Sequence, residues 1–115
     1  MKVVRTALQG CLILEPQVFA DDRGNFFESF NEQKFRNSTG AMLKFVQDNQ
    51  SYSKAKVLRG LHYQIEQPQG KLVRVVSGAV WDVAVDLRRS SPTFAQWTGV
   101  ELSAENQRMF WVPPG

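Results

Sequence analysis

The residues best suited to chemistry in this 115-residue chain lie within residues 57–76, which read VLRGLHYQIEQPQGKLVRVV. This segment contains the only histidine, His62, together with Arg59, Lys71 and Arg74. Two runs of strand-forming residues, VLRGLHYQ and KLVRVV, flank the polar connection IEQPQG. A candidate base and a fixed cation are therefore predicted on neighbouring strands. That pair suits a reaction in which a proton is removed from carbon and the resulting negative charge must be stabilised.

A single histidine also has an ordinary interpretation, as a surface residue or a satisfied core residue. The position of His62, after Arg-Gly-Leu and before Lys71, favours a functional role over this ordinary one. On a regular strand His62 shares a face with Gly60, whereas Arg59 points the other way. If Arg59 and His62 both line a pocket, the strand must bulge or bend at Gly60. On a plain strand Arg59 would lie outside the pocket.

Composition and length indicate a single soluble domain spanning residues 1–115. The hydrophobic content of 43% and the charged content of 22% are ordinary for such a domain. No apolar run approaches the roughly 18 residues that a membrane-spanning helix needs. The N-terminal apolar patch is interrupted by polar residues, so it indicates a strand and not a signal peptide. The one cysteine, Cys11, cannot form an intrachain disulfide, which favours a reducing cytoplasm.

Charge and residue types exclude several kinds of site. The net charge of +3 contains no block of like charges, so a scattered basic surface is favoured over a nucleic-acid patch. A mildly basic pocket for a small anionic ligand fits the same charge. One histidine and one cysteine, far apart in sequence, argue against a protein-held transition metal. The chain has no glycine-rich phosphate loop, and Cys11 lies in an apolar run typical of a core.

Short strand-like runs about every ten residues predict an antiparallel sandwich or barrel, with a jelly roll preferred. One short helix is predicted to begin after the cap Asn31 and to end near Arg36. Ser77-Gly78 is predicted to form a two-residue hairpin turn. The predicted strands are 3–8, 11–16, the two sides of a turn at 21–25, 45–53, 57–64, 71–76, 79–87, 94–102 and 109–113.

Two polar features of these strands leave alternatives open. In residues 79–87 an apolar set alternates with a set that contains Asp82 and Asp86, so both aspartates face either a partly polar interior or solvent. Residues 47–50 are four consecutive amide or carboxylate side chains, Gln-Asp-Asn-Gln. Such a run is usually solvated, although polar clusters at sheet edges also bind sugars and bases.

Long motifs in the same order resemble the dTDP-4-dehydrorhamnose 3,5-epimerase family. They are DDRGNFFESFN, FVQDNQS, LRGLHYQ, QGKLVRVVSGAVWDVAVDLR, SPTFAQWTGVELSAENQ and WVPPG. The resemblance runs from about residue 12 to residue 115. It implies a cofactor-free cupin jelly roll that inverts C3 and C5 of a dTDP-4-dehydro sugar nucleotide. That reaction belongs to L-rhamnose synthesis for surface polysaccharides such as O-antigen and lipopolysaccharide.

The resemblance also implies roles for individual residues. His62 is the base that removes protons next to the ketone, and Lys71 stabilises the enolate oxygen. Arg59 helps to hold the diphosphate or the catalytic end of the substrate. The remaining matches to the family's nucleotide and diphosphate contacts are Arg23, Glu28, Gln47, Asp48 and Asn49. Members of the family are homodimers with exchanged N-terminal strands, so some of these contacts would serve the partner's site.

The family continues beyond WVPPG with an aromatic-Ala-His-Gly segment, a tyrosine acid and an aspartate that pairs with the base. This sequence ends at Gly115, so we expect a fragment of a longer chain. A related 3-epimerase or ketoisomerase would share the pocket and the base. A non-catalytic sugar-nucleotide-binding cupin is a third interpretation. The presence of both His62 and Lys71 argues against it, because a binding module needs neither a base nor an enolate partner.

Overall fold

Eight short strands and one helix make up the structure, a computed structural model that describes all residues 1–115. The strands are β1 (Lys2–Arg5), β2 (Leu12–Glu15), β3 (Val18–Asp21), β4 (Gly24–Phe27), β5 (Lys71–Arg74), β6 (Ala79–Val85), β7 (Trp97–Ser103) and β8 (Met109–Val112), and α1 is Glu32–Thr39. Every paired neighbour is antiparallel. Helix α1, with eight residues, is too short to span a membrane.

The strands form one four-stranded sheet, in the order β1-β2-β8-β5, and two hairpins, β3-β4 and β6-β7. The turn predicted at 21–25 is confirmed, and a second turn separates the first two strands, as the break between the predicted strands 3–8 and 11–16 requires. Gly10 and Gly24 have φ angles of 78° and 136°, which favour glycine, and lie where the chain reverses into β2 and β4. The sequence therefore specified both local hairpins correctly.

Helix α1 begins and ends at strong capping residues. The Asn31 side chain accepts a hydrogen bond from the backbone N–H of Lys34 at 3.0 Å, as predicted for an N-cap. Gly40, with a φ of 70°, donates its backbone N–H to the carbonyl of Arg36 at the other end. The helix therefore extends to Thr39, three residues beyond the predicted end, because the left-handed glycine is what terminates it.

Strand β8 is the centre of the core because both of its faces are covered. Phe110 is fully buried against the β6–β7 hairpin, together with Cys11. Met109 and Trp111 point the other way, towards α1. Phe35 of the helix meets the Trp111 ring edge-on with centroids 5.0 Å apart. The apolar run MFWV is the pattern expected of a strand buried on both faces.

The predicted hairpin at Ser77-Gly78 is wrong. Strand β5 pairs with β8, whereas β6 pairs with β7, so the connection carries the chain from one sheet to the other. Gly78 has the positive φ of a turn residue, at 77°. Its carbonyl accepts the N–H of Ala104, from the turn after β7, at 3.0 Å. An alternating pattern predicts a strand, but it does not identify the partner strand.

The two predicted strands at 45–53 and 57–64 are also wrong. Residues 41–70 contain no helix or strand, and many of their apolar side chains are exposed, including Leu58 at 90% and Val46 at 88%. Strand β5 ends the four-stranded sheet, so these residues find no ladder partner within the chain. A strand without a partner leaves its backbone groups unpaired, and β-propensity does not compensate for that loss.

The structure resolves which way Asp82, in β6, and Asp86, directly after it, point. Ala84 and Asp86, 8% and 4% exposed, face the core, and Asp82 is half-buried on the same side. Trp81 lies on the opposite face, is 65% exposed, and covers Gly99 of β7. The interior between the sheets is therefore partly polar.

A buried network ties the end of β6 to the connection between β1 and β2. The Asp86 carboxylate accepts hydrogen bonds from Arg88 at 2.9 Å, from Ser91, and from Thr93 at 2.6 Å. Arg88 also donates to the carbonyl of Gln9 at 2.6 Å. The Arg88 guanidinium, aided by the two hydroxyls, holds the pKa of Asp86 well below its ordinary value. The folded state therefore strongly favours the ionised carboxylate.

Replacing Asp86 with asparagine is expected to lower the free energy of unfolding by about 3 kcal/mol near neutral pH, because Arg88 loses its buried counterion. The pKa of Asp86 is depressed in the folded state. Its contribution is therefore complete above the unfolded value of about 3.9 and is lost as the pH falls below it. Urea denaturation of the whole protein at several pH values measures this dependence. The exposed Asp22, replaced by asparagine, is the control, and a gap that stayed constant from neutral to acid pH would contradict the prediction.

Candidate functional site

Lys71 occupies the first position of β5, opposite Val112 of β8. The preceding Gly70 allows the backbone to approach the Trp111 ring, because an added Cβ would collide with its Cη2. The Lys71 ammonium is exposed and forms no ion pair. It is thus positioned by a strand yet free to meet a ligand.

His62 lies in the irregular segment 41–70 and is exposed. Its ring folds back over Gly60, so that a Cβ on that glycine would lie 3.6 Å from Nδ1. The expected strand bulge at Gly60 does not form because there is no ladder to interrupt, although Gly60 has a φ of 112°. The imidazole therefore has no partner that would orient it in this chain.

Arg59 is held by its own loop. Its Nε donates to Ser53 Oγ at 2.8 Å, and one terminal nitrogen donates to the Tyr52 carbonyl at 3.0 Å. These two hydrogen bonds connect the Arg59 side chain back to residues 52 and 53 of the same loop. The other terminal nitrogen, Nη1, makes no hydrogen bond. Arg59 is thus a preoriented cation with one open donor side.

Arg23 and Glu28 lie at the two ends of β4. Arg23 pairs with Asp21 at 2.7 Å and holds the pKa of that carboxyl below its ordinary value. Glu28 accepts from Lys34 at 2.8 Å, which lowers the pKa of Glu28, and from Asn31 at 3.3 Å. Glu28 also lines a cavity of about 240 Å³ beside α1. No other predicted site residue lines that cavity.

The polar run Gln47-Asp48-Asn49 lies in an exposed loop and not in a strand. The Gln47 amide donates to Asn49 Oδ1 at 3.2 Å. This bond is the only one between two of the eight predicted site residues. Five of the eight lie within residues 41–70, where no sheet aligns them. The chain by itself therefore fixes the backbone of Lys71 in a strand but does not assemble the other residues around it.

The sequence alone assigns Asp82 no role, because an aspartate on an alternating strand fits solvent as well as it fits an interior. Its parity with Ala84 was the available signal. Burial raises the pKa of Asp82.

No group of three or more histidine, cysteine, aspartate or glutamate side chains is arranged to bind a metal ion.

Comparison with known proteins identifies the family. A family model described as dTDP-4-dehydrorhamnose 3,5-epimerase matches residues 5–115. The chain belongs to this family. The matched region includes every predicted site residue, from Arg23 to Lys71. Their roles can therefore be compared with those of the corresponding residues in this family.

Individual relatives agree with the family model. The dTDP-4-dehydrorhamnose 3,5-epimerase of Pseudomonas aeruginosa is 59% identical over 115 residues, which cover 100% of this chain and 64% of that protein. The enzyme of the same name from Salmonella typhimurium is 60% identical over 116 residues, covering 100% of this chain and 63% of that protein. The chain thus spans less than two thirds of the length of these relatives.

A solved structure supports the fold assignment. The crystal structure of dTDP-6-deoxy-D-glucose-3,5-epimerase from Legionella pneumophila, in complex with dTDP-4-keto-L-rhamnose, has a TM-score of 0.94 and 52% identity. It covers 99% of this chain, which in turn covers 61% of that one. The predicted all-β class, an antiparallel cupin-type β-sandwich with one short helix, is confirmed.

Proposed function

We propose that the whole protein is an isomerase that inverts C3 and C5 of dTDP-4-dehydro-6-deoxy-glucose and yields dTDP-4-dehydro-L-rhamnose. The observation that carries this proposal is the family match over residues 5–115, which contains both His62 and Lys71. The residue types fit the chemistry. A ketone acidifies the adjacent carbons, so one base and one cation can serve both positions in turn.

In the proposed reaction, neutral His62 takes the proton from the carbon next to the ketone. The electrons of the broken carbon–hydrogen bond form an enolate, and the charge on its oxygen is stabilised by the Lys71 ammonium. A separate acid, which the family resemblance places beyond the WVPPG motif, gives a proton to the opposite face of the sugar and so inverts the centre. His62 releases the proton that it took to water before it acts at the second carbon. Preorganised donors matter here because the enolate charge exists only along the reaction path. The reaction is redox-neutral, so no external oxidant or reductant is consumed, and the family resemblance implies no cofactor.

The nucleotide end of the substrate is proposed to be held by the arginines and the polar loop. Arg59 offers an open guanidinium edge, which suits a diphosphate better than an ammonium does. Arg23 and Glu28 flank β4 at its two ends and are both exposed, and each is held by a neighbouring charge, Arg23 by Asp21 and Glu28 by Lys34. Residues 47–49 add exposed amide and carboxylate groups for the base and sugar.

A homodimer in the cytoplasm is the proposed setting, with the product supplying L-rhamnose for O-antigen and lipopolysaccharide. Exposed apolar side chains on the β3–β4 hairpin, such as Phe26 at 73%, support a covering partner. Strand β1 is the edge of its sheet, which suits exchange between subunits. Light scattering of the whole protein at micromolar concentration is expected to give twice the chain mass. A clean monomer would contradict the dimer.

The proposed activity is tested by incubating the whole protein with dTDP-4-dehydro-6-deoxy-glucose and determining the stereochemistry of the product by NMR. Inversion at both C3 and C5 is the expected result. Inversion at C3 alone would replace the proposal with a 3-epimerase. Transfer of the ketone to another carbon would indicate a ketoisomerase. Tight binding without any exchange or inversion would identify a sugar-nucleotide-binding module.

A further inference from the structure

We propose that Lys34 and Asn31 are positioning residues, which hold the Glu28 carboxylate in the orientation in which it accepts a hydrogen bond from the nucleotide. This inference rests on the proposed function, in which Glu28 contacts the nucleotide end of the substrate. Neither Lys34 nor Asn31 is among the eight predicted site residues. The contacts lie within one chain, so they do not depend on which subunit's site Glu28 serves.

Glu28 lies in a part of the backbone that has little support of its own. It directly follows β4, in the irregular connection 28–31 that leads to α1. The β3–β4 hairpin forms a separate two-stranded sheet, and a hairpin without further strands is only marginally stable. A flexible glutamate side chain that must be ordered on binding lowers the affinity for the ligand. Glu28 therefore requires another element to orient it in advance.

Helix α1 is that element, because it is anchored to the core. Phe35 is 2% exposed, and its ring centroid lies 5.0 Å from that of Trp111 in β8 and 5.2 Å from that of Phe45. Lys34 is the neighbour of Phe35, so this packing also fixes the backbone of Lys34. Asn31 is fixed by the helix cap, in which its Oδ1 accepts the Lys34 N–H at 3.0 Å. Both side chains therefore project from a well-supported end of the helix.

Each carboxylate oxygen of Glu28 has one partner at this end of the helix. The Lys34 Nζ lies 2.8 Å from Oε1, and the Asn31 Nδ2 donates to Oε2 at 3.3 Å. Because the two partners engage different oxygens, turning the carboxylate would break at least one contact. A carboxylate can accept about four hydrogen bonds, so acceptor positions remain for a ligand. The Glu28 side chain is 47% exposed, so a ligand can reach them.

The pairing also keeps Glu28 charged. Lys34, aided by Asn31, lowers the pKa of the Glu28 carboxyl, so Glu28 acts only as an acceptor at neutral pH. It therefore suits a hydroxyl or N–H group of the nucleoside and not the diphosphate. All three residues line the cavity of about 240 Å³ beside α1. An exposed pair contributes little to stability, so its main effect is orientation.

Calorimetry of dTDP binding to the whole protein tests the role of Lys34. Lys34→Met is expected to weaken the affinity about threefold to tenfold, the cost of ordering one flexible side chain on binding. The kcat should stay within about twofold of wild type. Lys34→Arg, which keeps the positive charge, should restore the affinity to within about twofold. Arg36→Met is the matched control, because Arg36 pairs with Glu32 at 2.8 Å within α1, and it should leave the affinity unchanged.

Three results would overturn the role of Lys34. They are wild-type affinity in folded Lys34→Met, a loss of kcat at full affinity, and a Lys34→Arg variant as weak as Lys34→Met. The last result would assign the effect to the lysine stem and not to the ion pair.

Asn31→Asp tests the second contact without removing the helix cap. Aspartate caps a helix as well as asparagine does, but its carboxylate cannot donate to Glu28 and repels it. We expect weaker dTDP binding with the helix content unchanged by circular dichroism. Asn37→Asp, which adds the same charge at an exposed position of α1, is the control and should bind normally. Wild-type affinity in Asn31→Asp would overturn the role of Asn31.

A titration without ligand tests the pairing independently of the reaction. Lys34→Met is expected to raise the pKa of Glu28 towards its ordinary value, because an opposite charge is removed, and Arg36→Met should not. The Glu28 ¹³Cδ shift measures this pKa. A Glu28 titration that ignored the loss of Lys34 would overturn the pairing. A wild-type protein that binds dTDP but inverts neither carbon would refute the proposed function alone.

Discussion

Replacing His62 with alanine in the whole protein is expected to lower turnover by about 10²- to 10⁴-fold, the usual contribution of a positioned general base. No other side chain of this chain is a matched substitute, because His62 is its only histidine. Folding should be unaffected, since the ring is exposed and makes no hydrogen bond. Turnover is measured from product formation under saturating substrate.

Tyr63→Ala is the matched control for His62→Ala. Tyr63 is the next residue in the same loop and is 71% exposed, so its removal perturbs the loop without touching the proposed base. We expect its turnover to stay within a few-fold of wild type. If His62→Ala kept turnover near that of the control, the base would have to be another group.

Lys71→Ala is expected to lower kcat about a hundredfold, which corresponds to the loss of one preorganised contact to a developing oxyanion. Affinity for dTDP should change little, because the enolate charge is absent from the bound nucleotide. Turnover at saturation and nucleotide calorimetry separate the two effects. Shortening the Lys71 side chain to alanine should also leave the pairing of β5 with β8 intact, because the backbone of Lys71 is unchanged.

Arg59→Ala gives the contrasting signature and serves as the comparison for Lys71→Ala. Loss of a guanidinium that contacts the diphosphate should weaken dTDP binding, with a smaller effect on turnover at saturation. If Lys71→Ala lost nucleotide binding and kept its saturated turnover, Lys71 would be the phosphate anchor. The roles of the two cations would then be exchanged.

Local signals in the sequence predicted local structure well. The Asn31 cap and the Gly24 turn depend on hydrogen bonds and φ angles within a few residues, and both are confirmed. The pairing of β5 with β8 and of β6 with β7 depends on contacts distant in sequence. Ser77-Gly78 has the composition of a hairpin turn, yet it joins two sheets. Turn chemistry restricts the backbone but does not choose the strand that comes next.

The candidate site shows the same difference between what local sequence predicts and what depends on long-range contacts. The type and motif setting of His62, Lys71 and Arg59 suggested their roles, but their geometry depends on residues 41–70, which find no ladder partner in this chain. Asp82 illustrates the opposite case. Its chemistry was visible, but only the packing of Ala84 and Val100 shows that its face is internal.

The most direct test of the central claim, that His62 breaks the carbon–hydrogen bonds next to the ketone, is solvent deuterium exchange followed by NMR. The whole protein is incubated with its proposed substrate in D₂O, and deuterium is quantified at C3 and C5. We expect deuterium at both carbons with the wild type and at neither with His62→Ala. Exchange by His62→Ala at the wild-type rate, or inverted product from the wild type without deuterium, would contradict the claim.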